Sequence, residues 1–170
     1  KNKLENARRA VADILNARPE EIIFTSGGTE SNNLAIQGAV YAARKKNFMP
    51  HIITTNIEHP SVIETCRLLE KRKLAEITIV PVELNGIVSA KKIKKEIKKN
   101  TVLVSVMYAN NEVGTIQPLR EIAKEIRHYR KQSKTNYPYF HTDAVQAVNY
   151  LDLGVEKLGI DMLSLSGSKI

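Results

Sequence analysis

The sequence predicts an α/β fold, three αβα layers around a mainly parallel sheet. Three observations point to it. Short β-branched runs alternate with longer segments of helical period along the whole chain, the pattern of repeated strand–helix units. One run, Thr101-Val-Leu-Val-Ser-Val-Met107, is almost continuously apolar, as a strand covered on both faces must be. The unusual polar residues gather in segments that follow strands, which is where open α/β sheets hold their ligands.

Leu4, Ala7, Val11 and Ile14 mark a first helix. Glu21-Ile-Ile-Phe-Thr25 reads as a strand, ended by Ser26-Gly-Gly-Thr29, and a second helix spans about Ser31 to Lys46. His51-Ile-Ile-Thr-Thr55 is the next strand. Pro60, whose missing N–H costs nothing in a first turn, opens a helix with Val62, Cys66 and Leu69 on one side. Glu76–Val80 is a strand, Asn85-Gly86 a turn, and Ser89 an N-cap for a lysine-rich helix. Leu119, Ile122, Ala123 and Ile126 mark a further helix, and Lys131–Asn136 a surface loop. Tyr139-Phe-His-Thr142 and Asp161-Met-Leu-Ser-Leu165 are the last strands.

At 170 residues the chain has the size of one domain and can bury a sizeable core. Aromatics make up only 5% and Trp is absent, so that core must be aliphatic. No run approaches the ~18 apolar residues of a membrane helix, and the polar start is not a secretory signal. A single cysteine excludes an internal disulfide framework and suits a reducing, cytoplasmic setting. The net charge of +8 raises the question of nucleic acid. Residues 91 to 99 hold six lysines and one glutamate, but Ala90, Ile93 and Ile97 form one apolar stripe beneath them. A solvated amphipathic helix accounts for the run. A basic, non-catalytic docking module is the alternative, and without interleaved aromatics for base stacking the sequence argues against nucleic acid.

Four segments hold candidate chemistry. Thr25-Ser-Gly-Gly-Thr-Glu-Ser-Asn32 joins a strand to a helix. It is either a common tight turn or a place where free N–H groups and the positive helix end meet an anion. Ser166-Gly-Ser-Lys169 sets small hydroxyls beside a lysine, suited to phosphate or to imine formation, or else merely a surface lysine. Asp143, just past a strand, is a helix cap or the carboxylate that a pyridine ring nitrogen requires, with Gln146 on the same helical face. His59 before Pro60 is a capping residue or a flat ring that stacks on a cofactor and moves protons.

In order, Phe24-Thr-Ser-Gly-Gly-Thr-Glu-Ser-Asn-Asn33, Ile57-Glu-His-Pro-Ser61, Asn110-Asn-Glu-Val-Gly-Thr-Ile-Gln-Pro118, His141-Thr-Asp-Ala-Val-Gln146 and Leu163-Ser-Leu-Ser-Gly-Ser-Lys-Ile170 resemble the cysteine desulfurases, pyridoxal phosphate-dependent members of the class V aminotransferase-like group. The resemblance covers essentially all 170 residues. It implies that residues 1–170 are an incomplete cofactor-binding large domain of a fold-type I enzyme, without the small C-terminal domain. Lys169 would form the imine with pyridoxal 5'-phosphate, Asp143 would pair with its ring nitrogen, and Gln146 would bond its phenolic oxygen. His59 would stack on the ring and assist proton transfer. Gly28, Thr29, Ser166 and Ser168 would hold the phosphate, and Asn111 would lie by the cofactor and the substrate carboxylate.

The implied reaction takes sulfur from L-cysteine onto a separate cysteine thiolate, leaving L-alanine and an enzyme persulfide. The implied partners are a second copy in a homodimer, and an iron–sulfur scaffold or a sulfur carrier for tRNA thiolation. No metal and no membrane enter. A selenocysteine lyase or another enzyme of the same group is the near alternative. Ser168 stands where many members have His, which points to altered phosphate affinity. Cys66, at core spacing with Val62 and Leu69, reads as a buried thiol and not as the sulfur acceptor. That acceptor, the substrate-binding arginine and a phosphate contact from the partner subunit are expected outside these residues, so the piece alone is expected to be inactive.

Overall fold

The computed structural model describes residues 2–45 and 48–169. Five strands form a wholly parallel sheet in the order β2-β1-β3-β6-β7: β1 His51–Thr55, β2 Glu76–Val80, β3 Thr101–Ser105, β6 Tyr139–Asp143 and β7 Met162–Ser164. A short antiparallel hairpin, β4 Ala109–Asn110 with β5 Thr115–Ile116, stands apart from it. The helices are α1 Asn2–Leu15, α2 Gly28–Ala43, α3 Pro60–Lys71, α4 Ala90–Glu96, α5 Leu119–Ser133 and α6 Val155–Leu158.

The pleat sorts the core into two halves. Ile53, Val104 and Phe140 point to one face and pack with Ile93 of α4, Leu119, Ile122 and Ile126 of α5 and Leu158 of α6. Their neighbours Ile52 and Leu103 point the other way, against Ile36 and Val40 of α2 and Val62, Cys66 and Leu69 of α3. Adjacent residues of one strand therefore serve opposite layers, and the three-layer αβα expectation holds. The inner face of α1, Val11 and Leu15, covers the turn after β6 at Ala144 and Ala147.

Two buried histidines bind neighbouring strands laterally. His51 lies between Thr101 and Thr78, at 2.8 Å to each hydroxyl, and His141 between Ser105 (2.8 Å) and Ser164 (3.0 Å). Burial pushes both imidazoles down to about 4, so each bridges its strands as a neutral ring.

Several expectations need correction. Glu21–Thr25 is not a strand: Pro19–Glu21 forms a 3₁₀ turn, Ile22 leaves it extended, and residues 22–25 pair with no described strand. A β-branched run gives the extended backbone, but a strand also needs a neighbour. The helix expected over Ser31–Lys46 begins three residues earlier, at Gly28, and ends at Ala43, where Arg44 turns extended as its C-cap; Lys46 itself lies outside the described residues. Leu4 and Ile14 of α1 are exposed, so its buried stripe is narrower than its spacing suggests. Residues 145–150 form turns and no helix. The loop expected at Lys131–Asn136 is helical as far as Ser133 and ends on Lys134 in the left-handed region (φ 50°). Ser89 stands at the N-cap of α4, but its hydroxyl makes no capping bond. The lysine-rich helix behaves as the amphipathic reading requires: Ile93 is buried, and Lys92 and Lys94 pair with Glu83 (2.9 Å) and Glu125 (2.7 Å).

Phe140 is among the largest wholly buried side chains and touches the helices of one layer. Phe140→Ala is expected to cost about 3–5 kcal/mol, read as a lower urea midpoint of the full-length protein. A shift of a few tenths would show that this layer repacks freely.

Candidate active site

Because β1, β3, β6 and β7 run parallel, their carboxyl ends share one edge, and the sheet order reverses between β1 and β3. A cavity of 1390 Å³ opens at that edge. Its wall includes Gly28, Thr29, His59, Asn111, Asp143, Gln146, Ser166, Ser168 and Lys169, so every sequence-predicted site residue reaches it. Lys169 and Asp143, from different elements, face the same space.

The glycine segment is shaped by two needs. Gly27 sits at φ 154°, ψ −176°, a conformation open essentially to glycine alone, and caps α2 without a side chain. A methyl group on Gly28 would meet Val145 Cγ2 at 2.7 Å, so only a bare backbone lets the helix start lie against the turn after β6. The first turn of α2 thus presents uncapped N–H groups and the positive end of a 16-residue helix beside the cavity. On the other side, Gly167–Lys169 is a single 3₁₀ turn with Ser166 Oγ 2.9 Å from Ser168 Oγ. Lys169 is exposed.

Asp143 is the last residue of β6 rather than a residue beyond it, and is 6% exposed. Its Oδ1 accepts from Val145 N–H at 3.0 Å, and its Oδ2 from the Asn32 amide at 2.7 Å. Gln146 lies half-buried in the turn that follows. His59 is exposed and caps α3, accepting at Nδ1 from Ser61 N–H at 3.1 Å. In the hairpin Asn110 is structural: its Oδ1 accepts from Glu112 and Val113 N–H, and its amide donates to the Ile57 carbonyl at 2.9 Å. That leaves Asn111 exposed at the cavity rim.

A family model for class-V aminotransferases matches residues 1–170. The chain belongs to the class-V aminotransferase family. Among its relatives it is similar to the cysteine desulfurase IscS of Methanosarcina thermophila, 49% identical over 98% of this chain and 39% of that protein. The IscS of Dictyoglomus turgidum is 46% identical over 98% of the chain and 40% of the relative. Among solved structures, SspA in complex with cysteine superposes with a TM-score of 0.90 at 39% identity, covering 99% of this chain and 46% of that one. The chain therefore spans about 40% of the length of the curated relatives it matches.

Class-V aminotransferases and cysteine desulfurases depend on pyridoxal phosphate, and this cavity fits that cofactor on its own chemistry. A buried carboxylate, an exposed amine, paired hydroxyls and an uncapped helix start are the donors and acceptors that a cationic ring, an aldehyde and a phosphate require.

Sequence reasoning gave no role to three polar residues here: Asn32, Ser61 and Glu58. Asn32 and Glu58 each leave a buried oxygen, Oδ1 and Oε2, without a partner among the described residues. Glu58 bridges the switch point, where its Oε1 accepts from the Thr55 hydroxyl at 2.6 Å and Met107 N–H at 2.9 Å. Burial, reinforced by the nearby Asp143 charge and opposed by those two hydrogen bonds, pushes its carboxyl up to about 8. An unfolded glutamate ionises near its ordinary 4.5, so the stability this neutral acid contributes is complete below about 4.5 and is lost as pH rises through about 8. Glu58→Gln keeps the shape and removes the proton. The variant is expected to flatten the alkaline fall of the thermal midpoint, and an unchanged fall would place the titration elsewhere.

Proposed function

We propose that the full-length protein is a pyridoxal phosphate-dependent cysteine desulfurase, taking sulfur from L-cysteine to leave L-alanine and an enzyme-bound persulfide. One observation supports this above the rest: an exposed lysine at 169 and a buried carboxylate at 143 line a single cavity between an uncapped helix start and two hydroxyls. The relatives named cysteine desulfurase, and the structural neighbour SspA in complex with cysteine, support the choice of substrate.

In this reading Lys169 would hold the cofactor covalently, Asp143 would face its ring nitrogen, and Gln146 would bond its phenolic oxygen. The N-terminal turn of α2, with Gly28 and Thr29, would hold the phosphate together with Ser166 and Ser168. His59 would stack on the ring, and Asn111 would reach the substrate carboxylate from the rim. When bound, the cofactor supplies an electron-withdrawing ring that stabilises negative charge next to the substrate nitrogen. The chain contributes the environment. Burial of Asp143 strengthens its pull on a cationic partner, and a neutral Glu58 keeps a second negative charge away from it.

Cys66 is not the sulfur acceptor. It is 1% exposed between α3 and the sheet, and burial pushes its thiol up to about 12, far from the thiolate that sulfur transfer needs. We assign residues 1–170 to the larger, cofactor-binding domain. On this reading the acceptor thiolate is a residue of the full-length protein other than Cys66. Exposed Leu4, Ile14, Ile23 and Phe24 are apolar surface for the rest of that protein, or for a second copy in a homodimer, to cover. We place the protein in a reducing, cytoplasmic setting, passing sulfur to an iron–sulfur scaffold or a sulfur carrier. Among the described residues no helix is long and apolar enough to cross a membrane.

Borohydride reduction of the full-length holo-protein is expected to fix a pyridoxyl group on Lys169, located by peptide mass mapping. Lys169→Ala should lose both the label and alanine formation. A label on a different lysine, or none, overturns the site. Turnover of selenocysteine without sulfur release from cysteine overturns the substrate. His59→Ala is expected to lower alanine formation by about 10²–10⁴-fold while leaving the label in place.

A further inference from the structure

Between Asp143 and His59 runs a chain of hydrogen bonds whose direction is fixed at both ends. At one end a carboxylate oxygen, Asp143 Oδ2, can only accept, so the group facing it at 2.7 Å is the Asn32 amide nitrogen and not its oxygen. The same Nδ2 donates its second hydrogen to Ser61 Oγ at 2.9 Å. At the other end Ser61 N–H can only donate, and it points at His59 Nδ1 at 3.1 Å, so that nitrogen must carry a lone pair. Ser61 Oγ lies 2.7 Å from the same Nδ1. Already an acceptor from Asn32, the hydroxyl has its own hydrogen free for the imidazole. Asn32 is 1% exposed and Ser61 9%, so water does not compete for these bonds.

We infer that Asn32 and Ser61 are positioning residues that transmit the polarity of the Asp143 carboxylate to His59 and hold it as the neutral Nε2–H tautomer. The nitrogen left free by this arrangement, Nε2, then presents a hydrogen to the cavity. His59 lines the cavity. What it faces there rests on the proposed cofactor reading, but the tautomer itself does not. The amide does not release its proton, so the arrangement orients His59 and carries no proton from Asp143.

The test reads the imidazole directly in full-length apo-protein labelled with ¹⁵N-histidine, at alkaline pH, with His59 assigned by its loss in His59→Gln. Wild type is expected to show an unprotonated Nδ1 and a protonated Nε2. Free histidine already leans this way, so reversal is the decisive measurement. Asn32→Asp shares one proton with Asp143 across their 2.7 Å contact, so position 32 has no donor left for Ser61; the Ser61 hydroxyl turns toward position 32, and Ser61 Oγ is freed to accept from Nδ1–H. Its expected effect is a shift of about tenfold toward forms protonated at Nδ1, the equivalent of one hydrogen bond. Ser61→Ala combined with Asn32→Asp should suppress most of that shift, because the signal passes through the hydroxyl. Unchanged His51 and His141 resonances report an intact sheet. Should Asn32→Asp fail to fold, Ser61→Ala alone must weaken the Nε2–H preference severalfold.

A His59 protonated at Nδ1 in wild type overturns the inference, as does an Asn32→Asp shift that persists in full without the Ser61 hydroxyl. Because the measurement uses no cofactor, a failed borohydride label would overturn the proposed function and leave this result standing.

Discussion

The parallel alignment of β1, β3, β6 and β7 is the constraint on which the site depends. Hydrogen bonding in one direction sends every strand's carboxyl end to the same edge, and the reversal of order between β1 and β3 opens a crevice there. The pleat then decides which residues can be spared for chemistry. Ile52, Ile53, Leu103, Val104 and Phe140 are consumed by the helical layers. The turns just past the strands have no layer to serve, and Glu58, Asn111 and Gln146 stand in them, while Asp143 closes its strand at the same edge.

Two carboxyl groups share that edge, and the structure treats them differently. Asp143 takes one N–H donor on each of its two oxygens. Glu58 takes both of its donors on one oxygen and leaves the other bare, and its burial favours the protonated acid. Two anions both buried at that edge would repel more strongly than in water. Keeping Glu58 neutral leaves Asp143 as the buried negative group of the crevice, the one placed to meet a cationic ring away from water.

The fold was largely legible because its signals are local. Thr101–Ser105 announces a strand buried on both faces, and Leu119, Ile122, Ala123 and Ile126 announce a helix face; all of these residues are buried. The errors lie where a neighbour decides. Residues 22–25 have strand composition but no paired strand, and the stretch after Asp143 has helical spacing yet folds as turns around buried Ala144 and Ala147. In the site, Lys169, His59 and Asp143 stood out because they follow strands or glycines. Asn32 and Ser61 did not, since a polar residue inside a helix is usually on its wet face. No spacing could show that the sheet and two helices bury Asn32 against a residue 111 positions away.

That concealed pair also explains why a histidine that caps a helix and a histidine that serves a cavity need not be competing interpretations. The cap uses Nδ1 as an acceptor, and an imidazole with one lone pair committed has only its other nitrogen to offer. A solvent-exposed cap could release that bond and protonate at either position. His59 is itself exposed, yet the atoms that define its Nδ1 are not: Ser61 and Asn32 are buried, and the carboxylate behind them is anchored to the β6 strand. The rigid part of the arrangement is thus the polarity of the hydrogen bonds, and the side chain they act on stays free to meet a ligand.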